Sequence, residues 1–157
     1  MIRYSSEVTI DRPPHVVFEA LLDPALYGQW TDMVDMRFDN VGQPRVGTRG
    51  QFRLAKGPIK GMLDVELTEL EADRRLVFRI SHPGVEWKAI STLEPTGTGT
   101  RLTYAGEVQL RGWRRLLEPL AAAEVRGGEA REAQRLKALL EGGPAAATMP
   151  TGGRGTA

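Results

Sequence analysis

The sequence contains no cysteine. Disulfides, thiolate nucleophiles and cysteine-ligated metals are thereby excluded. Histidine is nearly as scarce: His15 and His82 stand far apart, which leaves no visible metal-ligand set. No apolar run approaches the ~20 residues that span a bilayer. The N-terminus, MIRYSSEVTIDRPP, has no basic leader ahead of an apolar stretch, so no secretory signal is read and the cytoplasm is the expected location. Neither charge sign is in excess, with 21 Lys and Arg against 20 Asp and Glu, so no nucleic-acid grip is expected. A glycine-rich phosphate loop is missing, because Gly47, Gly50, Gly57 and Gly61 fall in strands and turns. No serine stands in a nucleophile elbow. What remains is ordinary globular chemistry, 41% hydrophobic and 26% charged over 157 residues, a one-domain length that can bury a core.

Ile2, Tyr4, Ser6, Val8 and Ile10 alternate with polar residues, which predicts a half-buried strand. Asp11 is a candidate cap for a helix that Pro13-Pro14 would start, with Val16, Val17, Ala20 and Leu21 on its buried face. Asp23-Pro24 ends it, and a second short turn, Ala25 to Trp30, follows. Tyr27 and Trp30 are expected to seal these short helices against a sheet. Extended segments follow at Met33 to Asp39, Gly47 to Lys56, Ile59 to Glu71, Arg75 to Ser81, Val85 to Glu94 and Thr100 to Leu110, each bounded by turn residues. Short connections favour an antiparallel meander.

From Gly112 to Glu141 the chain is rich in Ala, Leu, Glu, Arg and Lys and reads as one long helix. Trp113, Leu116, Leu117 and Leu120 make its first half greasy on one face, which Glu124 and Arg131 continue. Leu136, Leu139 and Leu140 lie on a different azimuth, and Gly127-Gly128 between the halves predicts a bend. Pro119 marks a kink or a late start. Residues 142–157, GGPAAATMPTGGRGTA, read as a disordered tail beyond a domain of residues 1–141. The order of elements fits an α+β architecture, a curved antiparallel sheet wrapped around the long helix.

Several motifs match one family: Val8-Thr9-Ile10-Asp11-Arg12-Pro13-Pro14, Val16 to Leu21, Asp23-Pro24, Tyr27 to Trp30 and Val46-Gly47-Thr48. Glu69-Leu70-Glu71 before Arg75-Leu76-Val77, Gly99 to Tyr104 and Leu136 to Glu141 match it too. Through them the chain resembles the START-related helix-grip superfamily, and within it the polyketide cyclase/dehydrase-type (SRPBCC) proteins, over about residues 2 to 141. The resemblance implies a helix-grip fold, seven strands gripping the long helix with an apolar cavity between. In similar proteins that cavity takes lipids, polyketides, hormones or quinones, in carriers and in a minority of enzymes.

A small hydrophobic or aromatic ligand is therefore the expected partner, with no metal or nucleotide cofactor and no membrane insertion; oligomeric state is left open. Inward-facing strand positions nominate Tyr4, Trp87, Ser91 and Tyr104, with Ser6, as contacts, and Trp113, Leu117 and Leu120 as helix-side contacts. Glu124, His82 and Tyr104 are candidate acid/base residues for an aldol-type cyclisation or dehydration. The plainer alternatives are a solvated Glu124, or its ion pair with Arg131 or Arg53, and a turn role for His82. Arg111, Arg114 and Arg115 form a basic cluster, a solvated helix start or a contact for an anionic ligand or lipid head group. Ligand binding leads, with a cyclase or dehydratase and a protein-interaction module as alternatives.

Overall fold

The computed structural model of the chain describes residues 1–142. The expected tail at 142–157 therefore lies, beyond Gly142, outside the described residues. Strand β1 (Ile2–Ile10) leads into helices α1 (Pro14–Leu22) and α2 (Tyr27–Trp30). Strands β2 (Met33–Phe38), β3 (Arg49–Leu54), β4 (Met62–Glu71), β5 (Arg75–His82), β6 (Val85–Thr96) and β7 (Gly99–Leu110) follow, then a 3-10 turn (Gly112–Leu117) and helix α3 (Glu118–Leu140). The strands form one antiparallel sheet in the order β1-β7-β6-β5-β4-β3-β2, so the meander folds back until β1 pairs with the last strand. This is the curved sheet and long C-terminal helix expected of a helix grip.

Alternation decides which side of the sheet faces α3. In β4, Leu63, Val65 and Leu67 are buried while Met62 and Asp64 face solvent. Across the pleat Tyr4, Ala89, Leu93, Leu102 and Tyr104 join them on the concave side. The ladder slips between Val34 and Arg37 and between Leu67 and Glu69. Such bulges bend a strand and let the sheet curl. Asp35, in the first slip, has a left-handed φ of 55°.

Two local expectations are corrected and one open alternative is decided. Asp11 does not cap α1; Pro13 occupies that position in extended geometry, and the Asp11 carboxylate instead accepts from the Thr98 hydroxyl. Pro119 sits in the first turn of α3, where its missing N–H costs nothing, so the chain begins the long helix late. The third concerns burial. Trp113, Leu116 and Leu120 are 67%, 83% and 79% exposed, so among the described residues the greasy first face does not join the core. Helix assignment continues through Gly127-Gly128, and the stripe that meets the sheet is Glu129, Glu132, Ala133 and Leu136.

Candidate functional site

Residues 129, 132, 133 and 136 are separated by three and four, the spacing that stacks side chains on one helical face. Leu136 is fully buried and fixes that face against the core. The same geometry carries two carboxyl groups inward: Glu129 and Glu132 are only 7% and 8% exposed. Buried carboxylates ordinarily sit beside a cation. Here the surroundings are aromatic.

The sheet supplies those aromatics through its register. Tyr104 on β7 lies opposite Ser6 of β1 and Ser91 of β6, and Tyr4 lies opposite Gly106. A side chain at Gly106 would collide with the Tyr4 phenol and the Lys88 carbonyl, so this glycine makes room for the Tyr4 ring. The Trp87 indole N–H donates to the Tyr4 hydroxyl at 2.9 Å. The Tyr104 hydroxyl donates to Glu132 Oε2 and the Asp32 backbone N–H donates to Glu132 Oε1, both at 3.4 Å. Tyr104 also stands 6.1 Å from the Tyr4 ring and 5.9 Å, edge-on, from Trp30. Two polar atoms at this depth have no hydrogen-bond partner, Glu129 Oε2 and the Trp30 indole nitrogen.

Burial, reinforced by the charge of Glu132, pushes Glu129 up to about 9. Burial also raises Glu132, to about 7, against the opposing pull of the Asp32 N–H. Removal from water and the same two carboxylates hold the Tyr104 hydroxyl well above its ordinary range, and Tyr4 is raised by burial and Glu129. At neutral pH the site therefore offers a protonated Glu129, a Glu132 near its midpoint and neutral phenols. Two carboxyl groups driven apart in acidity by their surroundings can divide the roles of acid and base. Among the described residues, no group of three or more His, Asp or Glu side chains converges as a metal site.

The nominated residues separate into two sets. Tyr4, Trp87, Ser91 and Tyr104 are buried and meet on the concave face, with Ser6 half-buried beside them. Trp113, Leu117 and Leu120 lie on the outer surface before and at the start of α3. Glu124 is exposed, since the stripe it shares with them faces solvent, and Arg53 pairs with Asp35 instead. His82 ends β5; its Nδ1 accepts from the Gly84 N–H and its Nε2 reaches the Lys60 carbonyl, both at 3.0 Å. Those bonds bridge two turns. Glu129 and Glu132 were missed, although stepping back from Leu136 by seven and four residues lands on both.

The interior void itself is small. Leu21, Trp30, Phe78, Ile80, Ser91 and Tyr104 are among the residues around a space of about 20 Å³. That holds roughly one water molecule, whereas ligand cavities run to several hundred Å³. Tyr27 and Trp30 do seal the short helices, their rings 5.3 Å apart and the Tyr27 hydroxyl donating to the Leu21 carbonyl at 2.5 Å.

A family model described as polyketide cyclase / dehydrase and lipid transport matches residues 1–141. The chain belongs to that family. Among solved structures, this cyclase/dehydrase-family chain is similar to CV1439 from Chromobacterium violaceum, at 19% identity and TM-score 0.66, over 90% of this chain and 99% of the other. Mll3558 from Rhizobium loti is 26% identical at TM-score 0.64, over 87% and 94%. DynU16, a putative protein in the dynemicin biosynthetic locus, is 24% identical at TM-score 0.62, over 90% of this chain and 48% of DynU16. None of the curated proteins matches the chain. Family membership suggests hydrophobic ligands, and no helix among the described residues is long and apolar enough to cross a membrane.

Proposed function

We propose that the chain binds a small, largely apolar molecule between the concave sheet face and α3, its polar end meeting Glu129, Glu132 and Tyr104. One observation carries the reading: one carboxyl oxygen of Glu129, Oε2, is buried among aromatic side chains with no hydrogen-bond partner. A buried acceptor left unmade is costly, and a ligand that donates a hydroxyl or amine proton relieves that cost. The preferred ligand is therefore apolar with a hydroxyl-like group at one end, able both to donate to and to accept from the protonated Glu129 carboxyl. Binding expands the 20 Å³ void, by outward movement of α3 or of the short helices α1 and α2.

Native mass spectrometry of freshly purified protein, followed by organic extraction, tests this. A stoichiometric hydrophobic adduct is expected, displaced by the neutral dye Nile red. A clean unliganded mass together with no Nile red uptake would overturn the reading.

A second reading is favoured by the divided acidity of the two carboxyl groups. In it Glu129 acts as general acid and Glu132 as general base in a cyclisation or dehydration of a polyketide-like substrate. With the extracted compound or a close analogue as substrate, Glu132→Gln would retain binding and lose turnover. Turnover unchanged in Glu132→Gln would remove this second reading and leave the first standing.

A further inference from the structure

The chain between β7 and the buried half of α3 displays large apolar side chains outside the core of the described residues. Trp113, Leu116 and Leu120 are largely exposed, and Leu117 is 37% exposed beside them. Scattered exposed apolar residues are normal, but four large ones within eight positions form a patch.

The charges around this patch are sorted as well. Arg111, Arg114 and Arg115 interleave with the apolar residues. The Arg114 guanidinium lies 5.0 Å over the Trp113 ring, which holds cation and aromatic on one surface. Arg111 is paired with Glu86 at 2.8 Å, while neither Arg114 nor Arg115 forms an ion pair among the described residues. Glu118, the one acid between Arg111 and Leu120, is neutralised by the Met1 ammonium and accepts from the Leu110 N–H. With Arg115 exposed and Arg114 half-buried, its guanidinium beside Gly84, the outward side of the segment is apolar and cationic. Glu124, exposed one turn beyond Leu120, ends it.

We propose that residues 111–120 dock on an anionic lipid surface. Trp and Leu side chains settle at the boundary between head groups and acyl chains, while arginines meet lipid phosphates and carboxylates. The contact is peripheral and needs no spanning segment. Charge complementarity selects this occupant over a second copy of the chain. Two copies joined face to face through this ridge would bring identical arginines together, which like-charge repulsion disfavours. The proposal is independent of the interior site.

Vesicle flotation with the full chain tests it, comparing phosphatidylcholine vesicles with vesicles that also contain phosphatidylserine. Binding is expected only with phosphatidylserine, weakening as salt rises, with a blue shift in tryptophan emission. Trp30 and Trp87 are already buried, so that shift reports Trp113. Arg114→Glu/Arg115→Glu should weaken binding roughly tenfold or more. Leu116→Ser/Leu120→Ser should weaken it comparably, both pairs leaving the melting temperature essentially unchanged. Equal binding to both vesicle types, or to neither, would overturn the proposal. So would concentration-dependent dimerisation abolished by Leu116→Ser, which would assign the ridge to a second copy.

Discussion

Glu129 carries an ionisable group into a place with almost no water, and that has a consequence for stability. Its pKa is raised in the fold to about 9, from about 4.5 when solvated. Folded protein therefore holds a proton that unfolded chain releases between those values, and stability falls as pH rises through that window. Below about pH 4.5 both states are protonated and this loss is absent. Each unit corresponds to about 1.4 kcal/mol, with Glu132 sharing the effect as it titrates near 7. Glu129→Gln is expected to stabilise the fold by about 1–3 kcal/mol at pH 8 and by little at pH 4.5, read from urea unfolding. A constant difference across that range would mean that the carboxyl does not titrate as burial requires. Gly106 is the complementary case at the same scale. Gly106→Ala pushes a methyl group into the Tyr4 phenol and the Lys88 carbonyl, and should destabilise by about 2 kcal/mol or more while loosening the Trp87–Tyr4 bond.

The C-terminal helix is where element and function meet, because its two halves have opposite fates. Leu136→Ala removes a fully buried side chain and should cost about 2–5 kcal/mol. Leu120→Ser removes a mostly exposed one and should change stability by less than about 0.5 kcal/mol. Thermal unfolding of the two variants decides which face of the helix the sheet grips. The strands were legible in the sequence because a half-buried strand writes its inner face in every second residue, as Leu63, Val65 and Leu67 do. Helical spacing in α3 shows which residues share a face. It does not show whether anything lies opposite. Trp113, Leu116, Leu117 and Leu120 form the more hydrophobic stripe, yet among the described residues no strand covers them. Glu129 and Glu132 were hidden for the converse reason, since a carboxylate in an apolar stripe ordinarily marks its solvent edge. The burial of Tyr4, Trp87, Ser91 and Tyr104 on the sheet followed directly from alternation.

At the scale of the whole molecule, the sheet curls so that β1 pairs with β7 and α3 lies against its concave face. The interior this encloses is nearly filled, and what distinguishes it is polarity rather than volume: two carboxyl groups, two phenols and an indole N–H meet inside an apolar wall. A bound ligand that occupies only the folded state raises the melting temperature by mass action. The extracted compound should therefore shift the melting temperature of the unliganded protein upward, and shift Glu129→Leu far less, because the acceptor for its polar end is gone. The central claim is that Glu129 and Glu132 form a coupled carboxyl pair in an interior sealed from bulk water. Carbon-13 NMR of glutamate side-chain carboxyls, assigned by Glu129→Gln and Glu132→Gln, measures it most directly. The account predicts one carboxyl titrating near 9 and one near 7. Two ordinary titrations near 4.5, the value of a solvated glutamate, would contradict it and leave the concave face without a candidate site.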